Sequence, residues 1–116
     1  LWINVLDKGA CPDNWVERSC TNLFIYSYAK ALRKGIIGQE YNNVLNKAYE
    51  GIENILYYDE DGDIVVDHVC EGCCIDDGTY EHYITRPRVK NDLHGIGAFL
   101  LMCSEMHRFL ESTKRQ

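Results

Sequence analysis

The chain has 116 residues, 46% of them hydrophobic, and its 12 basic and 18 acidic side chains give a formal net charge of -6. This composition excludes a disordered tail and is typical of one small domain with a single core. No Lys/Arg cluster could follow a phosphate backbone, so we expect neither nucleic acid nor an anionic membrane as a partner. A neutral or sugar-like ligand fits this charge more easily.

The first predicted helix follows a short extended opening and a loop. In the segment NWVERSCTNLFIYSYAKALRKG, Asn14 is placed to cap the helix and Glu17 stands three residues later, as in a capping box. The final letters RKG supply two basic side chains and a glycine, which are typical of a helix C-terminus. We therefore predict that this segment is helical.

The second predicted helix lies in the segment EYNNVLNKAYEGIENILYY. Its apolar side chains recur at the i, i+3, i+4, i+7 spacing of one helix face, while Asn, Lys and Glu occupy the other face. The apolar positions are Tyr41, Val44, Leu45, Ala48, Tyr49, Ile52, Ile55 and Leu56. The pattern predicts an amphipathic helix at the surface.

The middle of the chain is predicted to contain little helix. The letters DEDGD indicate a turn, and IVVDHV alternates like a strand, so we predict a short extended or hairpin-like segment near residues 63–70. The stretch YEHYITRPRVK is predicted to be irregular, because Pro87 disfavours a helical conformation at Arg86. A last helix is predicted from about Asp92 to Glu111.

The first and last helices contain long stretches without charge, over residues 19–29 and 95–104. Helices that are apolar or small on every side are normally buried on every side. Two such helices and one amphipathic helix cannot cover each other. We infer that the chain forms part of a larger helical array, in which buried helices alternate with surface helices.

The six cysteines invite a disulfide interpretation, which the pattern does not favour. Cys20 and Cys103 fall inside apolar helical stretches, where a free cysteine behaves as a small buried hydrophobe. We therefore expect reduced thiols, as in a cytoplasmic protein.

Two stretches were considered as metal sites. DEDGD differs from a calcium loop, because its glycine is at the fourth position and the twelfth position is Cys70. HVCEGCC offers His68, Cys70, Cys73 and Cys74, but the second half of a zinc motif is missing. We favour thiols packed in a tight loop and predict no metal.

Two polar helix starts are candidate binding sites. Helix N-termini offer free N–H groups and a partial positive charge, and a tryptophan can provide a flat platform for a sugar ring. The alternative is that these residues are ordinary caps and a core tryptophan. The candidates are Trp15, Glu17, Ser19, Asn91, Asp92 and His94.

Four stretches of the sequence occur in the same order as similar stretches in one protein family. They are LWINVLDKG with PDNWVERSCTNLFIYSYAKALRKGII, then AYEGI, then VCEGCCI and, most specifically, RPRVKNDLHGIGAFLL. Together they resemble the C-terminal part of glycoside hydrolase family 105, the unsaturated rhamnogalacturonyl hydrolases. That family is related to the unsaturated glucuronyl hydrolases of family 88. The resemblance covers nearly the whole chain.

The resemblance implies a double ring of helices, the (α/α)6 six-hairpin barrel, and a hydrolase that removes the 4,5-unsaturated uronic acid from pectin fragments. Family members hydrate the double bond of that sugar, with an Asp as general acid and base. The catalytic Asp lies on earlier helices in the family, so the catalytic residues remain unknown and Asp13, Asp76, Asp77 and Asp92 are not given that role. The six candidates above would line or support the pocket mouth.

We therefore predict an all-α chain in which residues 1–116 form the C-terminal portion of the barrel of a cytoplasmic hydrolase. It would need no cofactor, would take an unsaturated uronic-acid oligosaccharide as substrate in its parent, and would be inactive alone. A non-catalytic helical packing or interaction module is the alternative, and a Cys-rich metal or thiol site ranks below both. The charge-free faces predict self-association through exposed helix surfaces.

Overall fold

In the computed structural model, which describes residues 1–114, the chain is built mainly of α-helices joined by short strands and turns. The helices are α1 (Arg18–Arg33), α2 (Asn42–Glu53), α3 (Tyr80–Ile84) and α4 (Leu93–Thr113), and a 3-10 turn at Gln39–Tyr41 precedes α2. The strands are β1 (Tyr57–Tyr58), β2 (Ile64–Val65), β3 (Val69–Cys70) and β4 (Arg88–Val89). The long helices α1, α2 and α4 agree with the three predicted ones.

The strands form two separate antiparallel pairs, β1 with β2 and β3 with β4. In the second pair Val69 lies opposite Val89 and Cys70 lies opposite Arg88. The extended segment predicted near residues 63–70 is therefore present, but it is divided between two sheets. The chain turns between them at His68, whose φ is 51°.

The core lies where α1 packs against α4, with α2 covering one side. Fully buried side chains come from each of these helices, namely Ile25 of α1, Leu45 and Ile52 of α2, and Met102 and Met106 of α4. Burying one such side chain contributes about 1.5–3 kcal/mol. The same packing holds the start of α4 close to β3, because Gly95 lies against Val69.

An ion pair crosses the α1–α4 interface. Arg33 Nε lies 2.6 Å from Glu105 Oε1, and the Glu105 side chain is only 2% exposed. Arg108, one turn further along α4, is a weaker second partner at 3.8 Å from Glu105 Oε2. A buried carboxylate needs such partners, because desolvation otherwise makes its charge costly.

The predicted cap at Asn14 is wrong. Helix α1 begins at Arg18, and its N-cap is Glu17. The residues before it are extended, since Val16 forms a bridge with Ile3. Asn14 instead holds the opening loop closed, donating from Nδ2 to the Val5 carbonyl at 2.8 Å.

Two other boundaries differ from the sequence-based predictions. The stretch YEHYITRPRVK is not irregular throughout, because it contains α3 and β4. Thr79 caps α3 by accepting a hydrogen bond from the His82 N–H, and the helix ends before the residue preceding Pro87. Helix α2 ends earlier than predicted, since Tyr57 and Tyr58 pair with β2.

The charge-free helices are not buried on every side within this chain. Leu23 of α1 is 43% exposed, and Leu100 and Leu101 of α4 are 60% and 48% exposed. The physical reason is geometric: the single amphipathic helix α2 covers one side of the α1–α4 pair and leaves the other sides open.

Two glycines of α4 give a matched pair of variants. A Cβ at Gly95 would lie 2.7 Å from Cγ2 of Val69, whereas a Cβ at Gly97 would meet nothing within 4 Å. A close approach to a neighbouring segment therefore occurs at Gly95, where the neighbour is the Val69 side chain, and not at Gly97. We expect Gly95→Ala to lower the free energy of unfolding by about 1–3 kcal/mol through overpacking.

The control, Gly97→Ala, should raise that free energy by up to about 1 kcal/mol, because alanine restricts the unfolded chain and favours helix. Urea unfolding followed by circular dichroism measures both. Equal effects of the two substitutions would contradict the close packing at Gly95.

Candidate functional site

The first candidate group lies at the start of α1 and is centred on Glu17. The Glu17 side chain is buried and accepts hydrogen bonds from the backbone N–H groups of Ser19 at 3.2 Å and Cys20 at 2.6 Å. The Ser19 hydroxyl donates to the same carboxylate at 2.8 Å. A third backbone donor, the N–H of Cys70, reaches Glu17 Oε1 from β3 at 2.9 Å. Glu17 and Ser19 therefore fasten the helix start to the β3–β4 pair.

Trp15 is the second member of this group and is nearly buried, at 6% exposure. The guanidinium of Arg88 lies over its ring, 4.6 Å from the ring centroid. This is a cation–π arrangement, which is favourable and occupies one ring face. The Trp15 indole N–H is buried without a hydrogen-bond partner among the described residues.

The second group lies at the start of α4. Asn91 has a φ of 54°, and it is held by two hydrogen bonds with Val66: its N–H donates to the Val66 carbonyl at 2.7 Å, and its Oδ1 accepts from the Val66 N–H at 3.1 Å. Asparagine tolerates this left-handed conformation better than most residues. The side chain of Asn91 therefore positions the loop that enters α4.

Asp92 and His94 form the accessible part of the second group. Asp92 is the N-cap of α4, accepting from the His94 N–H at 3.2 Å. Its carboxylate also pairs with His94 Nδ1, and the two side chains are 41% and 50% exposed. The Asp92 carboxylate pairs with Nδ1 of His94. The other ring nitrogen, Nε2, can therefore form a hydrogen bond with a ligand.

A cavity of about 290 Å³ lies beside β4; its lining residues are Asp67, His68, Arg88, Val89 and Lys90. Arg88 belongs to β4 and Lys90 is the first residue after that strand, and both line this cavity. The Asp67 carboxylate is already paired with Arg18 and accepts from the Tyr57 hydroxyl at 3.1 Å. The lining, here called the basic cavity, is therefore positively charged on balance and suits an anion.

The sequence-based candidates did not include Arg88 and Lys90. The sequence signal is the presence of two cations two positions apart in RPRVK, but their approach to one cavity depends on packing, because Lys90 lies beyond the end of β4. The first predicted group contacts the β3–β4 pair, since Glu17 contacts Cys70 of β3 and Trp15 contacts Arg88 of β4, and the second group follows β4 along the chain.

The residues considered for metal binding do not form a metal site. Across residues 1–114, no group of three or more His, Cys, Asp and Glu side chains is arranged to hold an ion. All six cysteines are free thiols. The turn at DEDGD is closed by its own hydrogen bonds. Asp59 Oδ1 accepts them from the N–H groups of Asp61 at 3.1 Å and Asp63 at 2.9 Å.

Among the same described residues, none of the helices combines the length and apolar character required to cross a membrane.

Comparisons with known proteins agree with the fold. Residues 1–110 match Glycosyl Hydrolase Family 88. The protein Atu3128 of Agrobacterium fabrum is 31% identical over 119 residues, which cover 90% of this chain and 50% of that protein. The 24.9 kDa protein in the picA locus of Rhizobium radiobacter gives the same identity and coverage. The chain thus spans about half the length of these curated relatives.

A solved structure gives the same result. The glycoside hydrolase from family 105 of C. acetobutylicum superposes with a TM-score of 0.87 at 29% identity, over 93% of this chain and 32% of that chain. The predicted resemblance to families 105 and 88 is confirmed, and so is the prediction of a mainly helical chain that forms part of a helical barrel. The chain belongs to Glycosyl Hydrolase Family 88.

Proposed function

We propose that this chain supplies the later part of a hydrolase that removes the 4,5-unsaturated uronic acid from pectin-derived oligosaccharides. The family match supports a glycoside hydrolase, and the resemblance of RPRVKNDLHGIGAFLL supports the choice of substrate class. The proposal includes a cytoplasmic location, inactivity of this chain by itself, and self-association through its exposed leucines.

The observation that carries the proposal is the basic cavity, whose lining residue Lys90 stands two positions before Asp92 of the accessible Asp92–His94 pair. A uronic acid bears a carboxylate beside several hydroxyl groups. Arg88 and Lys90 match the carboxylate, because a guanidinium can donate two parallel hydrogen bonds to it and an ammonium adds a point charge. His94 Nε2, with its ring oriented by Asp92, can exchange a hydrogen bond with a neighbouring hydroxyl.

The proposed reaction is hydration. A general acid protonates one carbon of the double bond, water adds to the other carbon, and the resulting hemiketal opens to release the sugar. The residues of this chain would bind and orient the uronate, while the acid–base Asp is expected on helices outside it. Glu17, Ser19 and Asn91 would act indirectly, because their side chains hold the loops that carry Arg88 and Asp92.

The proposal is tested with a chimera in which this chain replaces the matching third of the C. acetobutylicum family 105 hydrolase. An unsaturated uronyl-rhamnose disaccharide is the substrate, and loss of the ultraviolet absorbance of its double bond is the measurement. We expect activity from the chimera and none from this chain alone. In the chimera, Arg88→Ala should raise KM about tenfold with a smaller change in kcat, since it removes a charged contact to substrate.

Lys47→Ala is the control, because Lys47 is an exposed cation on α2, away from the basic cavity. A folded chimera without activity would favour the alternative of a non-catalytic helical module. An active chimera with an unchanged KM in Arg88→Ala would exclude the basic cavity as the carboxylate site.

A further inference from the structure

A second cluster of reactive side chains comes from the loop that joins β3 to α3 and from α3 itself, and the proposed function does not use it. The Sγ atom of Cys73 lies 3.8 Å from Nε2 of His82. On the other side of the same ring, His82 Nδ1 lies 3.1 Å from Asp76 Oδ2. The three side chains therefore form a thiol–imidazole–carboxylate series.

The geometry determines the direction in which a proton can move along the three side chains. The Asp76 carboxylate accepts a hydrogen bond, so the proton of a neutral imidazole is held at Nδ1 and the lone pair lies at Nε2, facing the thiol. The ring is fixed further by Tyr83, whose ring meets it edge-on with centroids 5.4 Å apart. His82 is thus oriented to accept the thiol proton, in competition with the Cys74 carbonyl oxygen, which lies 3.4 Å from the same sulfur.

The charges around this cluster support an anionic sulfur in part. Arg86 lies over the loop, donating from Nε to the Gly72 carbonyl at 3.0 Å. Asp77 carries a negative charge, which disfavours a second anion nearby. Hydrogen bonds from Thr79 lower the pKa of its carboxyl, so the group stays ionised, and it also interacts with His82. The Cys70 thiol also interacts with Cys73, and Asp76 adds a second carboxylate beside His82.

Cys73 is more exposed to solvent than most other cysteines of the chain. Cys73 is exposed, and His82 and Asp76 keep 16% and 61% of their side-chain surface. Burial and the Glu17 carboxylate raise the pKa of Cys20 to about 12. Partial burial raises the pKa of Cys70 and of Cys103, although the Cys103 residue is itself exposed. Cys74 is equally exposed, yet no imidazole contacts its sulfur among the described residues, which makes it the matched comparison.

We propose that Cys73, His82 and Asp76 form a thiol–disulfide exchange site that captures small-molecule disulfides. The thiol proton of Cys73 passes to His82 Nε2, and the thiolate attacks one sulfur of a disulfide RSSR. A new bond forms between Sγ and that sulfur while the original S–S bond breaks. The departing thiolate takes the proton from His82 and leaves as RSH. Cys73 is oxidised to a mixed disulfide, and one half of the small molecule is reduced to a thiol.

In this site Cys73 is the nucleophile, His82 is the base and Asp76 is a positioning residue. Adduct formation would place a bulky group on the loop that follows β3, whose Cys70 N–H is a hydrogen-bond donor to Glu17. The thiol site follows β3, whereas the proposed sugar pocket lies beside β4, the strand paired with β3. The proposed thiol chemistry is independent of the proposed sugar binding.

The test exposes the purified protein to glutathione disulfide at neutral pH, stops the reaction with acid at short times, and locates adducts by tandem mass spectrometry. We expect Cys73 to react about tenfold faster than Cys74, because an unassisted thiol is only a few per cent ionised near neutral pH. This comparison uses the wild-type protein and needs no variant to fold. Equal rates at the two cysteines would overturn the proposal.

Variants separate the chemistry from the loop structure. His82→Gln should slow the reaction of Cys73 at neutral pH by about tenfold, and Asp76→Asn by less, while Cys74→Ser should leave it unchanged. At a pH of about 10, where a thiol ionises without a base, His82→Gln and wild type should react at the same rate. An unchanged rate at neutral pH in His82→Gln, or a difference that persists at alkaline pH, would overturn the role of His82.

Discussion

We expect the Arg33→Met variant to lose about 3 kcal/mol of its free energy of unfolding. Arg33 is the close partner of Glu105, at 2.6 Å, and the Glu105 side chain is only 2% exposed. Removing the guanidinium leaves a carboxylate inside the α1–α4 interface whose remaining ion-pair partner within residues 1–114 is Arg108, 3.8 Å away. The loss is large because a desolvated charge without a close partner is much more costly than a pair.

Two control variants make this prediction specific. Arg33→Met combined with Glu105→Met should restore the stability to near the wild-type value, because a packed apolar pair can replace a buried ion pair. Lys34→Met removes a neighbouring cation at the end of α1 that is exposed, and should change the stability by less than about 0.5 kcal/mol. Urea unfolding measures all three. If Arg33→Met behaves like Lys34→Met, the ion pair is not buried in solution.

The second large effect is expected from Glu17→Ala, with a loss of about 3 kcal/mol. One carboxylate serves as the acceptor for the backbone N–H groups of Ser19, Cys20 and Cys70. Alanine would leave these donors without their acceptor in a region where Glu17 itself is only 4% exposed. Both the cap of α1 and its connection to β3 would be lost together, whereas an ordinary cap alone contributes about 1 kcal/mol.

The free energy of unfolding of Glu17→Gln should fall between those of Glu17→Ala and wild type, because the one amide oxygen can still accept a hydrogen bond. Glu50→Ala is the control, since Glu50 is an exposed residue in α2, and it should stay within about 0.5 kcal/mol of wild type. Thermal or urea unfolding provides the measurement. A Glu17→Ala variant with wild-type stability would show that Glu17 is free to serve a ligand, which would return it to the substrate-binding candidates in a direct role.

The candidate site shows where sequence reasoning succeeds. Asp92 and His94 are two residues apart at a helix start, so their contact follows from local geometry, and the structure places them together. Asn91 and Asp92 are a turn residue and a cap that the polar start of α4 indicates directly. Local hydrogen bonding of this kind depends on few residues and can be predicted from their order.

The same reasoning fails for contacts between distant segments. The Arg88 guanidinium covers Trp15, and the Cys70 N–H reaches Glu17 across 53 positions in sequence. Neither contact leaves a periodic pattern, because each depends on how β3 and β4 pack beside α1. The error at Asn14 has the same origin, since a bridge between Ile3 and Val16 keeps the expected cap extended.

The sequence by itself determined the three long helices, their apolar faces and the family. Apolar spacing repeats along each helix, and burial of that spacing is the main driving force for folding, so many residues carry the same information. The tertiary structure alone decided which cations line the basic cavity, that Glu17 is a buried cap, and that Cys73 faces His82. These arrangements depend on how β3, β4 and α3 pack beside α1, and contacts between separate segments are only weakly encoded in local patterns.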